Sequence, residues 1–192
     1  MRLFAAVIPP PAVLDELAGA CAPLRDLAGA DALRWTGRDG WHITLAFYGE
    51  VAEDDVPELE RRLERAASHR AAMGLRIEHA GRFGDRTLWA GVSGDTRELR
   101  HLAGAAEAAA RKAGLAPRNE HRPYHPHLTL ARQGRTGETR LAAYTDALAA
   151  FAGRNWTAGE LSLVRSHLPH SGVPGEQPRY EVVGGWALGG SG

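Results

Sequence analysis

The sequence has little cysteine, no excess of either charge and no long hydrophobic run. Its single cysteine, Cys21, cannot form an internal disulfide, which excludes a small disulfide-stabilised domain. Lys and Arg together number 23, as do Asp and Glu, so any contact with a polyanion must be local. The apolar stretch from Leu3 to Ile8 stops at Pro9 and is too short for a membrane span or a signal sequence. We therefore expect a cytoplasmic protein without a membrane anchor.

The composition is that of a globular protein, with 44% apolar and 24% charged residues. Strand and helix patterns are mixed, but they do not alternate strictly as β-α-β units do. Strands are predicted at 2–8, 41–49, 75–80, 87–92, 127–132, 160–168 and 179–188, and helices at 12–27, 53–68, 96–113 and 139–151. These patterns favour an α+β fold, a single domain over 1–192 whose antiparallel or mixed sheets carry helices on their outer faces.

The sequence also contains an internal repeat, which the order of strands and helices does not explain. The segments 42–49 (HITLAFYG) and 127–134 (HLTLARQG) share His, Thr, Leu, Ala and Gly at the same offsets. A single His-x-Thr is a weak motif, but five identities over eight positions, on two predicted strands, are strong evidence of a real repeat. We expect two lobes related by a pseudo-two-fold axis, each of which supplies one copy of the motif, 42–45 or 127–130, to a shared central cleft.

The repeated residues suit phosphate chemistry. Residues two apart in a strand point to the same face, so His42 projects with Thr44, and His127 projects with Thr129. Two hydroxyls and a protonated imidazole can bind the oxygens of a tetrahedral anion. Imidazoles, whose ordinary pKa is near 6.5, can also share proton donation and proton removal near neutral pH. A lone histidine usually satisfies only a local hydrogen bond, so the repetition is what favours catalysis here.

These motifs carry a resemblance to a known family. The chain resembles the bacterial and archaeal RNA 2',3'-cyclic phosphodiesterases, also called 2'-5' RNA ligases, within the two-histidine phosphoesterases. The resemblance covers nearly the whole chain. It lies in 2–7 (RLFAAV), 41–51 (WHITLAFYGEV), 88–92 (LWAGV) and 122–132 (RPYHPHLTLAR), and in Ser166, Arg179 and Tyr180.

The resemblance implies a bilobal fold of two antiparallel sheets around a water-filled cleft. It also implies hydrolysis of RNA 2',3'-cyclic phosphate ends and 2',3'-cyclic nucleotides to 2'-phosphomonoesters, with no metal or cofactor, and reversible 2'-5' ligation. His42 corresponds to the proton donor and His127 to the proton acceptor. Thr44 and Thr129 correspond to phosphate ligands, and Arg132 to a basic residue near the nucleotide.

Three aromatic residues complete the predicted substrate site: Phe4, Tyr48 and Tyr124. Aromatic rings of this kind can stack on bases, although most such residues belong to the core or to a cleft wall. Tyr48 stands where the family commonly has Leu, and Tyr124 where it commonly has Phe. Both changes conserve size, so they bear on base preference rather than on activity.

Two other functions fit parts of the sequence. His121, His125 and His127 have a spacing that could bind a metal, although Glu120 is the only nearby acid, and this would indicate a metal-dependent phosphohydrolase. A non-catalytic module that binds RNA ends or nucleotides would use the same cleft without turnover. In every case RNA ends or nucleotides are the expected partners, and we expect a monomer without an obligate protein partner.

Overall fold

The computed structural model describes residues 1–115, 123–135, 137–169 and 177–189. Within these ranges the chain forms nine β-strands and four α-helices. The strands are β1 Arg2–Val7, β2 Leu33–Trp35, β3 Ile43–Glu50, β4 Met73–Phe83, β5 Thr87–Gly94, β6 His127–Gln133, β7 Ala152–Ala158, β8 Glu160–His167 and β9 Arg179–Ala187. The helices are α1 Pro11–Cys21, α2 Val56–Ser68, α3 Thr96–Lys112 and α4 Ala142–Ala147.

The strands form two sheets, in the orders β3-β1-β8-β9 and β2-β6-β5-β4-β7. Neighbouring strands are antiparallel throughout both sheets. The prediction of an α+β fold with two antiparallel sheets is confirmed. The chain passes repeatedly from one sheet to the other, so neither sheet is built from one continuous half of the sequence.

Each sheet is covered by two helices. Helices α2 and α3 pack on the first sheet, through β8, β9 and β3, while α1 and α4 pack on the second, through β7 and β4. Helix α2 buries Leu59, Leu63 and Ala67, which are four residues apart and therefore share one face. No helix in the described part of the chain combines the length and the apolar character that a membrane crossing requires.

The structure differs from the sequence-based prediction between residues 139 and 158. The expected helix over 139–151 is reduced to α4, because both ends of that range bond to other segments. The Thr139 hydroxyl donates to the Gly29 carbonyl oxygen at 3.0 Å, and the Phe151 carbonyl oxygen accepts from the His79 N–H at 2.9 Å. Within α4 the buried Tyr144 donates its hydroxyl hydrogen to the Ala28 carbonyl oxygen at 3.0 Å. Strand β7 follows it and was not predicted, nor was the three-residue β2. Both are edge strands, so the pairing of β7 with β4 and of β2 with β6 defines them more than their own residue patterns do.

Strand β3 contains two bulges relative to its partner β1. Phe4 pairs with Phe47 and Ala6 pairs with Thr44, so β3 uses one extra residue at each of two places. An extra residue interrupts the simple alternation of a strand. Thr44 and Phe47, three positions apart, therefore share the sheet face that carries Phe4.

Tyr48 is the extra residue of the bulge between Phe47 and Gly49, and its side chain points away from that face. Its side chain is only 4% exposed, and its hydroxyl donates to the Ala106 carbonyl oxygen of α3 at 3.2 Å. Simple alternation from His42 would have put Tyr48 on the same face as the histidine. The prediction that Tyr48 binds substrate is therefore contradicted by the structure, in which this ring belongs to the core.

We predict that Tyr48→Phe lowers the free energy of unfolding by about 1 kcal/mol, because the Ala106 carbonyl loses one donor. Denaturation in urea measures this loss. Turnover of a 2',3'-cyclic nucleotide, the substrate that the resemblance implies, should be unchanged in the same variant. A large fall in turnover with unchanged stability would contradict the structural role of Tyr48.

Candidate active site

The two histidines of the repeat come from different sheets. His42 directly precedes β3 of the first sheet, and His127 begins β6 of the second. Strands β3 and β6 contact each other, which brings the two motifs together. Beside them lies a cavity of about 490 Å³, the catalytic cavity, whose lining includes Thr44, Leu45, Phe83, Glu107, Tyr124 and His127.

His42 is held between two aromatic rings. The centroid of Phe4 lies 4.6 Å from that of the imidazole, and the centroid of Tyr180 lies 5.2 Å away in an edge-on orientation. Phe4 thus contacts the imidazole and is only 3% exposed, and its predicted contact with substrate stays a prediction. Tyr180 was not among the predicted site residues, although it was one of the residues that carried the resemblance.

The pKa of His42 is lowered to about 4. Burial is the largest cause, since it disfavours the charged imidazolium, and the positive charges of Arg132 and His127 lower the pKa further. A hydrogen bond with the backbone of Gly40 opposes the shift. The charges of His127 and Arg132 therefore act on His42, so these three side chains lie near one another.

His127 has a defined tautomer. Its Nδ1 lies 2.7 Å from the carbonyl oxygen of His125, which can only accept a hydrogen bond. Nδ1 of the neutral ring therefore carries the proton, and Nε2 is free to accept one. Burial lowers the pKa of His127, the hydrogen bond to His125 raises it, and the charges of His125 and Arg132 add smaller decreases.

The repeat extends to this local hydrogen bond. His42 bonds with the backbone of Gly40, and His127 bonds with the backbone of His125, in each case two residues earlier in the chain. Each bond restrains an imidazole just before or at the start of a strand. The two copies of the motif therefore use the same local means of orienting their histidines.

An aromatic wall surrounds His127. Phe83 meets it edge-on with the ring centroids 5.0 Å apart, and Trp89 lies 6.2 Å away. Trp89 also packs against His125 at 4.6 Å. Sequence reasoning missed these residues as parts of the site. The signal for Trp89 was its position in the 88–92 segment, which carries the resemblance. Phe83 lies at the end of β4, and only the pairing of β4 with β5 shows that it lies near His127.

The two threonines and Tyr124 also lie at this junction. Thr44 and Thr129 are both half-buried, and Thr129 pairs with Trp89 across β5 and β6. The Tyr124 hydroxyl donates to the Thr44 carbonyl oxygen at 3.0 Å, which joins the segment before β6 directly to β3. Burial raises the pKa of Tyr124, so the hydroxyl keeps its proton for this bond.

Arg132 is exposed near the end of β6. Its charge lowers the pKa of His42, His127 and Tyr180.

The metal site that the histidine spacing would allow falls only partly on described residues, since His121 lies outside them. The part of the chain that the structure does describe contains no cluster of three or more His, Cys, Asp or Glu side chains with metal-binding geometry.

Comparison with known proteins identifies a family to which this chain is similar. The family model described as 2'-5' RNA ligase superfamily matches residues 10–169. A Bacillus subtilis protein named RNA 2',3'-cyclic phosphodiesterase is 30% identical over 153 residues, which span 78% of each chain. An Aeropyrum pernix protein of the same name is 38% identical over 96 residues, covering 49% of this chain and 53% of the relative.

Coverage of the relatives is partial. In three curated relatives named RNA 2',3'-cyclic phosphodiesterase, the Aeropyrum pernix protein among them, the aligned segment spans only 47% to 54% of the relative, so the chain spans about half of their length. Among solved structures, a Thermus thermophilus protein superposes with a TM-score of 0.78 at 25% identity, and the match covers 100% of both chains.

We predict that His42 makes the stability of the protein fall in mild acid. Its native pKa of about 4 lies below the ordinary value of 6.5, so between these pH values the unfolded chain binds a proton that the native protein does not. Stability is therefore complete above pH 6.5 and falls as the pH drops toward 4. His42→Gln should lose less free energy of unfolding over this range. The slope of that free energy against pH should be smaller by up to the contribution of one bound proton, as denaturant titrations at several pH values would measure. Parallel pH curves for the two proteins would contradict this prediction.

Proposed function

Because the chain belongs to the 2'-5' RNA ligase superfamily, we propose that it hydrolyses RNA 2',3'-cyclic phosphate ends and 2',3'-cyclic nucleotides to 2'-phosphomonoesters. The observation that carries this proposal is that His42 lies near enough to His127 for their charges to interact, beside the cavity that His127 lines, and that His127 is in the tautomer that accepts a proton at Nε2. The names of the Bacillus subtilis and Aeropyrum pernix relatives support the same reaction.

In the proposed reaction His127 acts as the base. Its Nε2 removes a proton from water as the water oxygen attacks the phosphorus of the cyclic ester. The bond between phosphorus and the 3'-oxygen breaks, and His42 donates a proton to that oxygen. The products are a 3'-hydroxyl and a 2'-phosphate, and a proton passes from His127 back to His42, through solvent, before the next turnover.

Substrate binding itself would charge the donor. His42 is neutral at pH 7 because its pKa is about 4. A phosphate anion beside it favours the imidazolium and raises that pKa. Arg132 adds positive charge for the anion, and the hydroxyls of Thr44 and Thr129 would donate hydrogen bonds to its non-bridging oxygens. Tyr124 would hold Thr44 in place through its backbone carbonyl.

The proposal extends to four further properties of the protein. Hydrolysis needs no metal or cofactor, 2'-5' ligation is reversible, the protein is a monomer without an obligate protein partner, and it is located in the cytoplasm. The test is incubation of the purified protein, with and without a chelator, with RNA that carries a cyclic end, followed by separation of 2'- from 3'-phosphate products. Binding without turnover would favour an RNA-end binding module, and loss of turnover in the chelator would favour the metal-dependent hydrolase.

We predict that His42→Ala and His127→Ala each lower the turnover of a 2',3'-cyclic mononucleotide by at least about 10²-fold, the usual effect of losing a general acid or base. His101→Ala is the matched control, because this histidine is exposed on α3. Circular dichroism should show that all three variants are folded. Turnover close to the wild-type value in either of the first two variants would refute the assignment.

We also predict a bell-shaped plot of kcat/KM against pH whose maximum lies below pH 6.5. The pKa values of both histidines are lowered in the free protein, so the charged donor is lost as the pH rises through the higher of the two apparent values. The kcat profile should lie at higher pH, because the bound phosphate anion raises the pKa of His42. Steady increase of kcat/KM to high pH, stimulated by divalent ions, would instead indicate a metal-bound hydroxide.

A further inference from the structure

A second concave surface lies between α2 and α3, outside the catalytic cavity. It has a volume of about 670 Å³, and we call it the basic groove. Its strong cations are Arg62 and Arg65 of α2, Arg70 just after α2, and Arg100 and Lys112 of α3. His69 and His101 line it as well. This concentration of positive charge stands out in a chain whose formal net charge is zero.

Helical periodicity produces the groove. Arg62, Arg65 and His69 recur at intervals of three and four residues, so they share one face of α2. On α3 the facing positions are small, with Gly104 and the alanines 105, 108 and 109 forming the floor. Cations on the walls and small residues on the floor together make a channel that can admit a chain of anionic groups.

Most of these charges have no anionic partner in the part of the chain that the structure describes. Arg62 is the exception, since it pairs with Glu58 at 2.7 Å. Arg65, Arg100 and Lys112 have no carboxylate within 4.0 Å among the residues that the structure describes. Arg70 presents a buried Nε that has no hydrogen-bond acceptor in the same described ranges. Like charges held together in this way favour an external anion.

Gly104 keeps the floor of the groove low. Glycine inside a helix makes that helix less stable than alanine does, yet a Cβ atom built here would meet no atom within 4 Å. Packing therefore does not require glycine at this position. The missing side chain leaves space for a ligand, and it also gives a position at which the groove can be altered without disturbing the core.

Helix α3 connects the basic groove to the catalytic cavity. Arg100 lines the groove, and its charge acts on Tyr124, which lines the catalytic cavity. Glu107, two turns further along the same helix, also lines the catalytic cavity. From Arg100 to Lys112 the helix rises by about 18 Å, which is long enough to span several phosphates of a nucleic-acid strand.

We propose that the basic groove binds the phosphate backbone of the RNA strand whose cyclic end occupies the catalytic cavity. This inference rests on the proposed function, because it extends the substrate from a terminal nucleotide to a strand. Arginine is suited to this task, since its guanidinium donates two parallel hydrogen bonds to a phosphate. The enzyme would then prefer oligonucleotides over mononucleotides by binding energy from outside the catalytic cavity.

The first test introduces a negative charge at the floor. Gly104→Glu should raise the KM for an oligoribonucleotide with a 2',3'-cyclic phosphate end by roughly tenfold, because the carboxylate repels the phosphates. Gly104→Gln has the same shape without the charge and should change this KM much less. Both variants should leave the kcat/KM of a 2',3'-cyclic mononucleotide unchanged, since that substrate does not reach the groove. Equal effects of Glu and Gln on the oligonucleotide would overturn the proposal.

The second test removes positive charge. Arg65→Gln/Lys112→Gln should raise the same KM and reduce the dependence of log affinity on log salt by about 1.4, the value for two lost phosphate contacts on a single strand. Arg140→Gln/Arg154→Gln makes the same charge change at exposed arginines outside the groove and should have little effect. Identical salt slopes for the two double variants would overturn the proposal.

Binding separates this inference from the proposed function. A labelled oligoribonucleotide with an ordinary 3'-hydroxyl needs no catalysis, so its affinity reports on the groove even for a protein that hydrolyses nothing. It should weaken in Gly104→Glu but not in Gly104→Gln. Lys112 is the only lysine in the chain, and bound RNA should protect it from acylation. Unprotected Lys112, or binding of an acidic peptide in place of RNA, would contradict the RNA assignment.

Discussion

The site depends on the burial of two imidazoles beside an arginine. Burial and the charges of Arg132 and His127 all disfavour the protonated form of His42, and the hydrogen bond with Gly40 compensates only in part. These effects leave His42 uncharged at neutral pH beside a charged arginine. An anion in the cavity relieves this repulsion, because it attracts every one of these cations. In the function proposed above, the same arrangement would favour a phosphate anion and would couple its binding to the protonation of His42.

The fold serves this arrangement by bringing strands of two sheets together. The hydrogen bond from the Tyr124 hydroxyl to the Thr44 carbonyl joins them at the catalytic cavity, and aromatic rings enclose each histidine. The bulges of β3 turn Phe47 and Thr44 to the face of Phe4 and direct Tyr48 into the core. Irregular pairing is therefore what separates the residues of the site from those of the core.

Charge is distributed in keeping with this division of roles. The chain has no net charge, so distant nucleic acid is not attracted by a general field. Positive charge is concentrated at Arg132, whose charge acts on His42, and along the basic groove between α2 and α3. Helix α3 contributes Arg100 to the basic groove and Glu107 to the catalytic cavity, and the RNA strand of the proposed function would follow this helix.

The sequence by itself determined the fold class, the motif residues and most of the helices and strands, because periodicity and the His-x-Thr repeat are local properties. It also predicted that His42 and His127 share a site, since a repeat on two strands is difficult to explain otherwise. Only the tertiary structure decided the location of Tyr48, the aromatic neighbours Tyr180 and Phe83, and the low pKa of His42. These depend on bulges, cross-strand pairing and burial, which arise from contacts between segments far apart in the chain.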